Sequence, residues 1–253
     1  MLFLLGIVLP YLAFAVFVGG LAWRVGAWLR RPVPVSLTLS PGVSGTGMRL
    51  IDMARELALF RSIWASDRRL WFSAWPMHAS LVVILAGHVA GIATAGEQFC
   101  LLGVSPRTSR LLSHGLGDLA GLIFAVTLAA LWLRRLAIPE LRRLSDPADH
   151  FALALLAGIA ASGMLLRFPA VGLDLAAVQA YLAGLVTFRP GPIPPNGVFL
   201  VHFTLVILLL VYFPFSKLLH GIGGVVNRAM LTQSPPAYPT PPGFAPEGRF
   251  LKL

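Results

Sequence analysis

The chain has a single cysteine, Cys100. That scarcity excludes an internal disulfide framework, a cysteine-ligated zinc site and a cysteine-ligated iron–sulfur cluster built from this chain alone. Any such cluster belongs on a partner. Charge is scarce as well, at 12% of residues against 57% hydrophobic, with a mean hydropathy of +0.80. Those shares lie far from the average soluble domain and describe an integral membrane protein. Carboxylates are rarest, 10 Asp and Glu against 20 Lys and Arg, and none falls in the middle of an apolar run, where a proton-relay transporter would need them. Long polar stretches are missing too; the longest segment between clear spans is about 50 residues, too short for most independent cores. The net charge of +10 does not indicate nucleic acid, because the basic residues fall between apolar runs and not on one helix or patch.

What is present is a set of five apolar runs, which predicts an all-α membrane bundle over residues 1–228 followed by a proline-rich tail, 229–253. The first run, 2–23, has no basic n-region or small-residue cleavage site and is followed by Arg24, Arg30 and Arg31, so it reads as a retained helix kinked at Pro10. At about 1.5 Å per residue it reaches roughly 33 Å, enough for a hydrocarbon core of about 30 Å. The others are expected over 72–94, 116–133, 151–166 and 198–215, with Trp75 as an interface anchor and Pro214 kinking or releasing the last turn of the fifth.

Between the first two runs, a Pro/Ser/Thr/Gly stretch (Pro32 to Gly47) precedes a helical period at Leu50, Met53, Ala54, Leu57, Phe60 and Trp64, with Arg49, Asp52, Arg55 and Glu56 between. That describes a surface helix, lying at the lipid interface or docking a partner. The segment Ala170 to Phe188 is apolar but carries Asp174 and Gln179, and is expected to be an interfacial helix. With five spans, 16 of the 20 Lys and Arg fall on one side and 4 on the other, placing the N-terminus outside and the C-terminus in the cytoplasm of the inner membrane.

Against this apolar background stand four histidines. The second run holds His78 and His88; the last run and its end hold His202 and His220. Buried imidazole needs a partner, and two per segment suggests two bis-histidine sites. Topology pairs His88 with His202 (outer) and His78 with His220 (inner). On straight helices the rise is about 15 Å across the first segment and about 27 Å across the second, a mismatch that tilt and the Pro214 kink must absorb. At about 100° per residue, eighteen residues return His220 to the helix face of His202.

The stretch HASLVVILAGHVAG, with VHFTLVILLLVYFPFSKLLH, the LRR of Leu133 to Arg135 and VTFRPG, resembles the gamma subunit of respiratory nitrate reductase and its relatives. The LTLSPG segment, the PFSKLLH form and the tail SPPAYPTPPG look most like the cytochrome b subunit of the sulfite-reductase-associated transmembrane redox complex. The resemblance implies two haems b ligated by the four histidines, a quinone (menaquinone or ubiquinone) near the outer haem, a cytoplasmic iron–sulfur subunit as electron partner, and further membrane or periplasmic subunits. It implies a quinone-linked respiratory function, in sulfur metabolism or, alternatively, as a nitrate reductase gamma subunit.

Where the family holds quinol with a basic residue after the second span, this chain offers Arg107 and Arg110 but no lysine. His114 and Asp118 are the remaining quinone-site candidates, as proton acceptors or as solvated helix-end residues. Small residues Ala86, Gly87 and Gly91 serve either porphyrin approach or helix packing. His150 reads as an interface or capping residue, Cys100 as inert, and Lys217 and Arg228 either as contacts to inner haem propionates or as ordinary positive-inside residues. The tail favours polyproline II. A proton-relay transporter and a structural anchor remain the competing classes, and a reduced-minus-oxidised spectrum separates all three.

Overall fold

Pro10 decides the form of the first helix. Proline has no amide hydrogen and its ring collides with the carbonyl four residues back, here Gly6. The chain, seen in a computed structural model that describes residues 2–30 and 46–231, accommodates it with a π-helical turn, Leu4–Val8, leading into α1 (Leu9–Arg30). The Gly6 carbonyl that Pro10 leaves without a helical donor accepts the Tyr181 hydroxyl at 2.6 Å. Burial, with Tyr11 nearby, pushes the Tyr181 phenol up to about 12, so it stays a donor. Tyr181 belongs to α8 (Leu175–Val186) and stacks edge-on with Phe199 and Phe203. Tyr11 returns the tie by donating to the Leu185 carbonyl at 2.9 Å. The expected interfacial segment is thus a 12-residue helix fastened to α1 and to the start of the last long helix.

Among the described residues, five helical stretches are long and apolar enough to cross a membrane: Leu4–Arg30, Arg68–Ala93, Pro106–Ala137, Pro147–Leu165 and Gly197–Phe215. Several run past the bounds that hydropathy suggests, because capping places the ends. Here α4 (Arg68–Ala93) starts at Asp67, whose carboxylate accepts the Leu70 amide at 2.9 Å and the Arg134 guanidinium at 2.8 Å. The Leu70 amide, with Arg134 behind it, holds the Asp67 carboxyl below its usual range. Likewise α5 (Pro106–Ala137) starts at a Ser105 cap with Pro106 in its first turn, well before the polar RTSR ends.

Two short helices, α2 (Thr46–Leu59) and α3 (Arg61–Ser66), precede α4; α6 (Pro139–Arg143) joins α5 to α7 (Pro147–Leu165). The last long helix, α9 (Gly197–Tyr212), stops before Pro214. Two 3₁₀ turns, Phe213–Phe215 and Lys217–Leu219, follow before α10 (His220–Leu231). The break is held: Arg24 Nε donates to the Pro214 carbonyl at 3.3 Å. Opposite it, Gly20 is obligatory, since a Cβ there would come within 2.7 Å of Pro214 Cβ. The helices pack in the order α4, α5, α7, α9, α1, with α10 against α2. The LTLSPG segment and the proline-rich tail lie outside the described residues.

Candidate functional site

Four imidazoles meet in two pairs. The rings of His78 on α4 and His220 at the start of α10 are 5.7 Å apart and perpendicular at 90°. Those of His88 on α4 and His202 on α9 are 6.3 Å apart and nearly parallel at 15°. The route to the first pairing differs from the straight-helix expectation. The chain leaves the helix at Phe213, so neither the roughly 27 Å rise nor the common helix face applies between His202 and His220; the Lys217–Leu219 turn carries His220 to His78 instead.

All four rings are tied through the same nitrogen. Nδ1 of His78 meets the Ala74 carbonyl at 2.7 Å, and that of His88 the Ile84 carbonyl at 2.7 Å. Nδ1 of His220 meets the Lys217 carbonyl at 3.0 Å, and that of His202 the Ser162 hydroxyl at 3.0 Å. A carbonyl only accepts, so the three rings on carbonyls carry their proton on Nδ1 and present Nε2 as a lone pair, the arrangement of a metal-ligating imidazole with its outer partner. Two such rings either side of one metal, with bonds of about 2 Å and roughly 1 Å from nitrogen to ring centre, would have centres about 6 Å apart. Among the described residues no three His, Cys, Asp or Glu gather as a metal site. A bare ion would want three or four protein ligands; a haem iron wants only two axial ones. The donor set fits haem. A Cβ at Gly87 would meet no atom within 4 Å, leaving room for a flat ring beside His88.

The surroundings of the pairs are built by residues that no sequence pattern announced. Gly163 on α7 lies against His202: a Cβ there would fall 3.1 Å from Cε1 of the imidazole. Phe60 stands edge-on to His78 at 5.1 Å. It does so because the surface helix, expected to run unbroken through Phe60 and Trp64, breaks there, with Phe60 in the left-handed region at φ 49°. The freed carbonyls of Leu59 and Ala58 are taken up by the indoles of Trp71 and Trp75, each at 2.8 Å. Trp75, an expected lipid-interface anchor, thus makes a specific tie between α2 and α4.

The other candidates are placed as follows. Arg110 is ion-paired with Glu97, while Arg107 is exposed in the first turn of α5. His114 Nδ1 is 2.8 Å from Asp118 Oδ2, and Asp118 is bonded to Arg167. His150 Nδ1 accepts the Trp132 indole at 3.1 Å. Lys217 reaches Asp146 and Asp149, each at 2.9 Å, and Asp149, buried at 7% exposure, also takes Arg135 at 3.2 Å. Lys217 is therefore committed to carboxylates that pin the turn before His220. The two carboxylates, Asp146 first, hold its amine above the usual lysine range. Cys100 is a free thiol in the Gln98–Leu102 turn. The Arg228 side chain is outside the described ones.

Residues 43–233 match the family described as nitrate reductase gamma subunit. Two relatives, each named Hdr-like menaquinol oxidoreductase cytochrome b-like subunit, come from Archaeoglobus fulgidus and Archaeoglobus profundus. The first is 32% identical over 87% of this chain and 76% of its own; the second is 31% identical over 85% and 74%. The nitrate reductase gamma chain of Bacillus subtilis is 29% identical over 56% of this chain and 67% of its own.

Proposed function

Since the chain belongs to the nitrate reductase gamma subunit family, we propose that it is the diheme cytochrome b subunit of a membrane quinol oxidoreductase complex, passing electrons between the quinone pool and an iron–sulfur subunit. Its five long apolar helices and its family make it a multi-pass membrane protein. The observation that carries the function is the pairing of His78 with His220 and His88 with His202, every Nδ1 tied and the rings about a metal's width apart.

The residues' own part is to bind and orient. His88 and His202 would hold one haem, His78 and His220 the other; when bound, each would supply one-electron transfer. The excess of basic residues beside the His78–His220 end supports placing it in the cytoplasm of a cell with an inner membrane, N-terminus outside. Quinol is then met at the outer His88–His202 end, with Arg107, Arg110, His114 and Asp118 as its candidate contacts. Inward passage of the electron and outward release of quinol protons both charge the membrane, at about 2.3 kcal/mol per charge per 100 mV. The relatives' names favour menaquinol. With one cysteine this chain cannot itself hold a cysteine-ligated cluster, so the iron–sulfur centre of this reading sits on a partner subunit. LTLSPG, PFSKLLH and the proline-rich tail support a partner in sulfur metabolism linked to sulfite reduction. The second reading, a nitrate reductase gamma subunit, is favoured by the Bacillus relative.

Single alanine variants of the four histidines test the proposal. Each is expected to keep one of two haems per chain, with the losses grouping as His78 with His220 and His88 with His202. Identical loss in His78→Ala and His202→Ala would overturn the pairing, and a wild-type chain without a reduced-minus-oxidised haem spectrum would overturn the function. Isolation of the native complex separates the partners: an iron–sulfur subunit without molybdenum is expected, and a molybdenum subunit selects the second reading.

A further inference from the structure

A second kind of histidine cluster stands at the α8 end of the bundle. His114 Nδ1 lies 2.8 Å from Asp118 Oδ2, one turn further along α5. Asp118 Oδ1 accepts Arg167 Nε, and Arg167 Nη2 also donates to the His114 carbonyl. Arg167 lies four residues beyond Gly163, the residue against the His202 ring, just past the end of α7, so the cluster stands at the same end of the bundle as the His88–His202 pair. On the same stripe of α5, Leu111 one turn before His114 and Leu122 one turn after Asp118 are exposed, so the face is open to lipid and to lipid-borne molecules. Ionisable groups on such a face are costly unless used. An Arg167–Asp118 pair would satisfy itself. The third member is the one a structural pair does not require: with Nδ1–H given to the carboxylate, His114 turns Nε2 outward as a lone pair, and its side chain is 56% exposed.

Of the charges near this end among the described residues, Glu97 of the 94–105 connection is engaged with Arg110 of α5, Arg107 is exposed two turns before His114, Asp174 accepts the Ala176 and Ala177 amides of α8, and Arg167, just past α7, is on Asp118; Val89 to Ala93 of α4 hold nothing titratable. Gln98 Nε2 is occupied by Ser113 Oγ at 2.8 Å.

We propose that His114 is the proton acceptor for a quinol hydroxyl, with Asp118 and Arg167 as its positioning residues, an inference that rests on the quinol reading above. Nε2 takes the proton as the quinol O–H bond breaks and an N–H bond forms. The ring then passes that proton to water at this end and takes the second. The haems that the imidazole pairs would hold would accept the two electrons one at a time, so that quinol becomes quinone with two protons and two electrons accounted for. Asp118 fixes the tautomer, as a carboxylate does for any imidazole base, and Arg167 holds Asp118 in place through its Nε.

The test uses the full haem-loaded chain in lipid nanodiscs. Binding of 2-heptyl-4-hydroxyquinoline N-oxide is read by fluorescence quenching, and haem reduction by menadiol by stopped flow. Wild type is expected to bind the analogue and to be reduced by menadiol. His114→Gln should bind more weakly and be reduced more slowly, by about 100-fold or more. Asp118→Asn, which keeps the shape, should weaken both readouts, and Arg167→Lys should recover what Arg167→Ala loses. Should His114→Gln fail to retain its dithionite-reduced spectrum, Asp118→Asn carries the decision. Variants that bind and are reduced like wild type overturn the inference while leaving the quinol reading standing; a wild type that neither binds the analogue nor is reduced by menadiol overturns both.

Discussion

Replacing Gly163 by valine is expected to remove the haem held by His88 and His202 and to leave the other in place. The Cβ alone would lie 3.1 Å from Cε1 and 3.5 Å from Nδ1 of His202, where carbon contacts prefer about 3.5–4.0 Å. Alanine therefore demands a shift of a few tenths of an ångström. Valine's two further methyls on the same Cβ demand more, and the imidazole is the group that can yield. When it does, the 3.0 Å bond from Nδ1 to the Ser162 hydroxyl stretches or breaks, at a cost of about 1 kcal/mol, on top of about 1–3 kcal/mol for overpacking. Together that is roughly a 30- to 1,000-fold loss in the population holding His202 opposite His88. Haem per chain by pyridine haemochrome should fall by half in Gly163→Val, with one redox transition remaining in a potentiometric titration. Gly163→Ala should keep both haems with the potential of one altered. Full haem content and two unchanged potentials in Gly163→Val would refute the packing argument. Loss of the His78–His220 haem would refute the assignment of Gly163 to His202.

Phe60→Ala should shift the potential or spectrum of the His78–His220 haem and spare the other, because only His78 has that ring edge-on at 5.1 Å; changes in both or neither count against it. Tyr181→Phe leaves the Gly6 carbonyl freed by Pro10 without its donor and should lower stability by about 1–3 kcal/mol, read as a lower unfolding temperature in detergent with haem content unchanged. Lys217 is held protonated above its ordinary range by Asp146 and Asp149. A raised amine stabilises fully below its unfolded value, about 10.4, and ceases to do so as pH climbs through the raised one. The His78–His220 spectrum should therefore change at strongly alkaline pH, and Lys217→Met should abolish that alkaline step.

The sequence alone determined the class of protein, the five apolar runs, the separateness of the shorter apolar segment around Tyr181, and which four histidines stand out against that background. These are local properties: hydropathy, proline placement and residue type are written along the chain and do not depend on what lies opposite. Only the tertiary structure decided what surrounds the histidines. Ser162 reaches His202 from 40 positions away, Arg167 reaches Asp118 from 49 and Tyr181 reaches Gly6 from 175, and no periodicity encodes a partner on another helix. The same reason undid the expectation of an unbroken surface helix and decided how the break expected at Pro214 is held. The break at Phe60 exists because Trp71 and Trp75 on α4 supply donors for its carbonyls. The break after Tyr212 holds because Gly20 admits Pro214, and Arg24 and Asp149 tie down its two ends. A helix ends where its orphaned backbone groups find other partners, and in this chain those partners stand on neighbouring helices.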